Sequence, residues 1–165
     1  MIMLENELSY LVKAMPTLDG MEKDEISQHY LTPRPNSVRL RQRGQIYEMA
    51  QKTKTVAGDA SRKIENNILV DKRIYDELLP LSLRSLTKTR YYLPLAGGLT
   101  AELDVFHDDL DGLVMVEVEF PNEEARTSFV PPDWFGRDVS QEDWSSNSYL
   151  AGKTFIELEG LLNKT

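Results

Sequence analysis

The chain has 165 residues, a net charge of −8 and a pI of about 4.8. Its length suits one domain, covering residues 1–165, with a full hydrophobic core. The acidic balance disfavours nonspecific nucleic-acid binding by the surface as a whole, and no apolar run is long enough to cross a membrane. The lack of cysteine excludes a disulfide, a thiolate metal site and a cysteine nucleophile. We expect a cytoplasmic protein with neither a nucleic-acid nor a membrane partner.

Strand-like segments dominate the chain. Short runs that alternate between apolar and polar residues predict strands at about 3–14, 36–43, 45–54, 61–71, 85–95, 99–107 and 112–120. Most of the short connections contain glycine, at Gly44, Gly58, Gly97-Gly98 and Gly112, which is typical of hairpins. Short connections place consecutive strands beside one another as antiparallel neighbours.

Helical patterns are fewer. We predict helices over 20–30, over 71–79 with Asp71 as the N-cap, over 122–129, and an amphipathic helix in the tail from Ser148 to Leu162. Many sequential strands with a few helices at the edges predict an α+β fold. Its main element is an antiparallel sheet that is curled or closed on itself, as in a closed barrel of about eight strands, with flanking helices.

The strand at 114–120, VMVEVEF, has a feature that recurs along the chain. Side chains alternate between the two faces of a strand, so Met115, Glu117 and Glu119 share one face, and the valines share the other with Phe120. On an ordinary half-exposed sheet the glutamates would face solvent. The alternative is that they point into an enclosed space that also contains cations.

The other strands have charged faces of the same kind, and the sign of the charge is sorted by strand. Acidic side chains share a face on the first, sixth and seventh segments: Glu5 and Glu7, Glu102 and Asp104, and Glu117 and Glu119. Basic side chains share a face on the second and fifth: Arg39, Arg41 and Arg43, and Lys88 and Arg90. The third carries Lys52 and Lys54, and the fourth carries Glu65 and Asn67. Solvated faces would account for any one strand, but the sorting across strands favours a shared interior.

A closed barrel lined by these faces would need a hydrated interior, because burying bare ions costs roughly several kcal/mol each. Arginine and lysine side chains that converge in a cavity bind a polyanion, and the arginine fork suits phosphate oxygens. Clustered carboxylates bind a hard cation such as Mg²⁺ or Mn²⁺. The residues therefore predict a site for a polyphosphate–metal complex, with Glu117 and Glu119 pointing inward at the metal.

The ordered set of residues resembles that of the CYTH, or triphosphate tunnel metalloenzyme, superfamily. The resemblance spans nearly the whole chain and rests on Glu5-x-Glu7, Arg39-x-Arg41, Lys52, Glu65, Lys88-x-Arg90, Asp104 and Glu117-x-Glu119, together with the segments GLVMVEVEFPNEEA, PDWFGRDVS and SNSYLA. It implies a closed antiparallel tunnel that binds a triphosphate. Members of the superfamily hydrolyse inorganic, thiamine or nucleotide triphosphates, or cyclise ATP to cyclic AMP, with a divalent metal.

The resemblance also implies roles for individual side chains. Phosphate binding would fall to Arg39, Arg41, Lys52, Lys88 and Arg90. Metal binding would fall to Glu5, Glu7, Asp104, Glu117 and Glu119. The candidates for catalysis are Glu5 and Glu7, which would hold metal or orient the attacking water, with Glu65 in support.

Three positions depart from the family pattern. Ser9 stands where the N-terminal Glu-x-Glu-x-Lys signature has its lysine. Lys13 shares that face but lies about 13 Å further along the strand. Asn67 replaces a second glutamate on the fourth strand, and Ala50 replaces a small hydroxyl residue. These departures bear on the catalytic step more than on polyphosphate binding.

Three functions remain open on these residues. The leading hypothesis is metal-dependent hydrolysis of inorganic triphosphate or a related triphosphate. The second is a protein that binds polyphosphate or a nucleotide without cleaving it, which Ser9 favours. The third is an adenylate cyclase of the class IV type, which would need a nucleobase pocket. Analogy with the family also suggests a homodimer.

Overall fold

The structure is a computed structural model that describes residues 1–56 and 59–164. Within these ranges the strands are β1 (Ile2–Val12), β2 (Glu22–Tyr30), β3 (Val38–Arg43), β4 (Ile46–Val56), β5 (Asp59–Leu69), β6 (Arg84–Pro94), β7 (Thr100–Phe106), β8 (Val114–Glu119) and β9 (Phe135–Asp138). The α-helices are α1 (Lys72–Leu78), α2 (Glu123–Thr127), α3 (Asn147–Leu150) and α4 (Phe155–Leu162). No helix in the described part of the chain is long and apolar enough to span a membrane.

Eight strands form a closed barrel in which every neighbouring pair is antiparallel. Their order around the barrel is β1-β5-β4-β3-β2-β6-β7-β8, and β8 pairs again with β1. The closure depends on the length of β1, whose residues 2–6 pair with β5 and whose residues 7–11 pair with β8. The short β9 pairs with the end of β1, at Tyr10 and Val12. The predicted α+β fold, a closed antiparallel barrel with flanking helices, is confirmed.

The turns between the strands agree with the glycine signals. Gly44 joins β3 to β4 with φ of 57°, and Gly97 and Gly98 join β6 to β7 with φ of 73° and 74°. These are left-handed conformations that glycine adopts without steric cost. The predicted hairpin at Gly58 lies outside the described residues.

Two of the predicted helices differ from the structure. Residues 22–30 form β2 instead of a helix, and β2 pairs along its whole length with β6. Its buried side chains, Ile26, Gln28 and Tyr30, recur at every second position, but two of them are polar or amphipathic, which hid the strand pattern. The tail forms α3 and α4 instead of one helix, because Gly152 between them has φ of 79°. By contrast, α1 and α2 confirm the helices predicted over 71–79 and 122–129.

Apolar residues fall into two clusters on opposite sides of the barrel wall. The outer cluster contains the valine face of β8, packed against residues such as Phe120, Phe129 and Phe135. The second cluster fills one end of the barrel interior, where Phe106 and Met115 meet Trp144 and the C-terminal helices. This apolar plug seals part of one end, and the rest of the interior is polar.

Candidate functional site

The charged strand faces line one cavity inside the barrel, with a volume of about 890 Å³. The predicted site residues on its wall are Glu5, Glu7, Arg39, Arg41, Lys52, Glu65, Arg90, Glu117 and Glu119. Lys88 and Asp104 are buried and do not line the cavity; Asp104 accepts from Arg90 and from Lys88. The charged faces therefore point inward. Among the described lining residues, acidic side chains outnumber basic ones by three.

Arg90 is the centre of an ion-pair network on β6, β7 and β8. Its guanidinium donates to both oxygens of Asp104, at 2.7 and 2.8 Å, to Glu117 at 2.7 Å, and also to Glu102. Burial alone would lower the pKa of Arg90, but these carboxylates raise it well above its ordinary value. Burial would likewise raise the pKa of Glu117, but Arg90 and Lys88 lower it to about 2. Both groups therefore stay ionised.

Asp104 positions the two basic residues of β6. Its Oδ2 accepts from Lys88 Nζ at 2.5 Å as well as from Arg90. Lys88 also donates to Asn147 on α3, at 3.2 Å, so its ammonium group lies next to the C-terminal segment. Both Asp104 oxygens therefore already accept from cations, and Asp104 is not among the residues that line the cavity.

A second network joins β1, β3, β4 and β5. Lys52 Nζ lies 2.7 Å from Glu5 Oε2 and 3.2 Å from Glu65 Oε2, and Arg39 lies 3.2 Å from the same Glu65 oxygen. Asn67 donates its amide to Glu65 Oε1 at 3.0 Å. Burial would raise the pKa of Glu65, but Lys52 and Arg39 lower it to about 2. Burial raises the pKa of Glu5, so the two carboxylates differ in proton affinity.

Lys63 is a cavity residue that the sequence interpretation missed. It shares a strand face with Glu65, lines the cavity, and donates from Nζ to Glu7 Oε1 at 2.6 Å. Period-two counting along β5 could have found it. Ser9 is buried with a cross-strand position opposite Glu117, and Lys13 is exposed. Lys63 therefore supplies a positive charge beside β1 that Ser9 does not.

Further charged residues that sequence reasoning did not single out lie on β2 and β4. Glu48 is buried and its Oε2 accepts from Arg41 at 2.7 Å. Asp24 accepts from Tyr92 at 2.8 Å and from Arg43 at 3.3 Å. Glu48 shares a face with Lys52, so its inward direction could have been predicted. Asp24 lay in the segment interpreted as a helix.

Carboxylates without enough cationic partners gather around Glu119. Glu7 is its cross-strand neighbour, and like charges directly opposite one another destabilise a sheet. Glu119 is exposed at the end of β8, but partial desolvation by its surroundings and the charges of Glu102, Glu5 and Glu7 raise its pKa to about 7. A divalent cation would relieve this surplus, and carboxylate oxygens are the ligands that hard cations prefer. As the side chains stand, no three acidic or histidine residues of the described ranges converge on one metal position, but the donor set suits such an ion.

Comparisons with known proteins indicate the family of this chain. The chain is 39% identical over 153 residues to an inorganic triphosphatase of Nitrosomonas europaea, covering 90% of this chain and 97% of the relative. It superposes on the crystal structure of the inorganic triphosphatase NE1496 with a TM-score of 0.67 and 35% identity, covering 89% of this chain and 93% of that one.

A more distant structure has the same fold. HpAC1 from Hippeastrum, an adenylyl cyclase by name with a dominant triphosphatase activity, matches with a TM-score of 0.54 and 12% identity over 75% of this chain and 82% of its own. No family model matches the chain. The identity and coverage of the Nitrosomonas relative nevertheless decide the assignment. The chain belongs to the CYTH, or triphosphate tunnel metalloenzyme, superfamily.

Proposed function

We propose that this protein hydrolyses inorganic triphosphate with Mg²⁺ or Mn²⁺. One observation carries the proposal: basic and acidic side chains together line one cavity inside a closed barrel. Basic side chains from β3, β4 and β6 suit phosphate oxygens, and carboxylates from β1 and β8 suit a divalent cation. The named activity of the Nitrosomonas relative supports the same substrate.

Phosphate binding is assigned to five of the eight basic residues that line the described cavity. These are Arg39, Arg41, Lys52, Lys63 and Arg90. Lys88 and Asp104 do not line the cavity; Asp104, which also accepts from Lys88, holds the guanidinium of Arg90 in place. Phosphoryl transfer depends mainly on positioning and on stabilising the charge of the transition state. A rigid group of paired cations supplies both.

The metal is assigned to the acidic residues on β1 and β8. Glu5, Glu7, Glu117 and Glu119 would hold it, and Asp104 would join them only by giving up its bonds to Arg90 and Lys88. When bound, the ion neutralises phosphate oxygens and makes water a better nucleophile.

The acidic residues are not equivalent as proton acceptors. Burial raises the pKa of Glu5, which suits a carboxylate that orients water and takes its proton. Glu65, with a pKa of about 2, suits a residue that holds Lys52 and Arg39 in place. Glu7 is held by Lys63 and suits a residue that orients the water beside Glu5.

The alternative is binding without cleavage, which Ser9 favours because it carries no charge. Phosphate release from triphosphate with Mg²⁺ or Mn²⁺, measured beside calorimetric binding, separates the two functions. We expect release by the native protein and none by Glu117→Gln, with Glu159→Gln on the exposed face of α4 as the matched control. Tight binding without release would refute hydrolysis. Cyclic AMP formed from ATP would support the cyclase alternative, which the comparisons do not favour.

The proposal also covers the oligomeric state and nucleic-acid binding. We predict the homodimer that the family suggests, and we predict that the protein has no nucleic-acid partner. Light scattering of the purified protein tests the first, and a gel-shift assay with DNA and RNA tests the second.

A further inference from the structure

The two ends of the cavity differ in charge. At the end where β2 begins and β8 ends, the lining includes Glu22, Asp24, Glu102 and Glu119. At the opposite end, β4 approaches its last residue and β5 begins. We call this second region the basic end and define it by Arg34 and Lys54, both of which line the cavity. Arg43 pairs with Asp24 at the first end, and Asp143 pairs with Arg34 at the basic end, so the first end is the more acidic and repels a polyanion more strongly.

Lys54 at the basic end lies directly opposite a second lysine, which is nearer the centre of the cavity. Lys54 and Lys63 are cross-strand partners on β4 and β5, and both point into the cavity. Like charges in this arrangement destabilise a sheet. Lys63 is neutralised by Glu7 at 2.6 Å, but the nearest acid to Lys54 is Asp143, at 3.9 Å. An anion at this position would remove the repulsion.

The carboxylate of Asp143 marks where such an anion fits. Its Oδ2 accepts from Arg34 at 2.7 Å, and its Oδ1 lies 3.9 Å from Lys54 Nζ. The guanidinium of Arg34 also lies over the ring of Tyr149, 4.9 Å from its centre, so α3 supports it from one side. Two cations from different parts of the chain thus converge on one oxyanion. Asp143 is more than half exposed, so it can move away.

We propose that Arg34 and Lys54 form an outer subsite for one phosphoryl group. The group is either the fourth phosphate of a linear polyphosphate or free inorganic phosphate, and it takes the place of Asp143. Lys54 lies two residues beyond Lys52 on the same strand face, about 7 Å further along. A chain whose phosphates are held at Lys52 therefore reaches Lys54 when it is extended. This inference rests on the proposed function of the inner cavity.

The test compares tripolyphosphate with tetrapolyphosphate. In the native protein we expect a lower KM for tetrapolyphosphate than for tripolyphosphate. In Arg34→Gln/Lys54→Gln this preference should fall about tenfold, equivalent to about 1.4 kcal/mol. The double variant Lys72→Gln/Arg73→Gln makes the same change on the exposed face of α1 and should keep the preference. Asp143→Asn should strengthen it, because the competing carboxylate is gone.

Added inorganic phosphate distinguishes the two sources of the phosphoryl group. If free phosphate occupies the subsite, it raises the KM for tetrapolyphosphate in the native protein and not in Arg34→Gln/Lys54→Gln. If it has no such effect while the chain-length preference depends on Arg34 and Lys54, the subsite takes the substrate chain. An equal preference in the native protein and the double variant, with no phosphate effect, overturns the proposal.

Binding separates this test from that of hydrolysis. Calorimetric titration with the same two polyphosphates and Mg²⁺ gives the ratio of their dissociation constants even when no phosphate is released. An inactive native protein that binds tetrapolyphosphate about tenfold more tightly than the Arg34→Gln/Lys54→Gln variant would refute hydrolysis and keep the subsite. If the native protein is active, but the ratio of the two dissociation constants is the same in the Arg34→Gln/Lys54→Gln variant, hydrolysis is supported and the subsite is refuted.

Discussion

Metal binding in this cavity should release protons, and Glu119 should be their source. Partial desolvation and the charges of the neighbouring Glu102, Glu5 and Glu7 raise its pKa to about 7, so about half of the molecules carry the proton at pH 7. A divalent cation favours the ionised carboxylate. Binding of Mg²⁺ should therefore release about half a proton per chain at pH 7, about nine tenths at pH 6 and about a tenth at pH 8.

Calorimetry measures this release directly. The apparent enthalpy of Mg²⁺ or Mn²⁺ binding, compared between two buffers of different ionisation enthalpy, gives the number of protons at each pH. The variant Glu119→Gln should lose the release, and Glu159→Gln should retain it. Equal apparent enthalpies in the two buffers at pH 6, or a Glu119→Gln variant that releases as many protons as the native protein, would refute the reasoning.

The same carboxyl makes metal-free stability depend on pH. Its pKa is higher in the folded protein, at about 7, than the ordinary value of 4.5, so the folded state binds the proton more tightly than the unfolded state. Stability in EDTA therefore falls as pH rises from about 4.5 to about 7. Glu119→Gln removes the ionisable group and should raise the Tm at pH 8, with a gain that vanishes towards pH 4.5. A gain that does not vary with pH would point to packing instead.

Three further substitutions test other parts of the site. Lys63→Met leaves Glu7 without its lysine partner and should lower kcat/KM for triphosphate at least about tenfold. The control Lys72→Met, at an exposed position, should change kcat/KM less than about twofold. Equal effects of the two substitutions would show that Lys63 is not part of the site. Glu48→Gln frees Arg41 from its internal partner and should lower the KM for triphosphate severalfold, so an unchanged KM would mean that Arg41 does not meet the substrate. Arg90→Met removes a cationic partner from three carboxylates in the barrel wall, of which Asp104 keeps Lys88. It should lower the free energy of unfolding in urea by about 3–5 kcal/mol; a loss below about 1 kcal/mol would show that water replaces the guanidinium.

The alternation of side chains predicted most of the barrel and much of the site. It worked because each strand of the described barrel separates one charged interior from one apolar or solvated exterior, so a period of two identifies the cavity face directly. Sorting by sign then indicated a shared interior, which residues such as Arg39 and Glu117 confirm by lining the same cavity.

What the sequence did not predict depends on pairing between strands. β2 was interpreted as a helix because its ladder with β6, nine residue pairs long, stabilises a segment whose own residues have little strand preference. The pairing of Lys63 with Glu7 follows from the register of β5 on β1, which strand patterns do not contain. Asp104 pairs with Arg90 and Lys88 and does not line the cavity. Residue spacing does not predict which of the available ion pairs a carboxylate forms.

The sharing of β1 among three strands has a consequence for how the chain folds. Its partners β5, β8 and β9 come much later in the sequence, and the Ser9 backbone bonds to Ser140 across 131 residues. Contacts so distant in sequence close large loops before they contribute stability, which slows folding. During synthesis the backbone groups of β1 therefore stay partly unpaired until nearly the whole chain has been made. Its exposed strand edges can pair with other chains and aggregate until β9 is available.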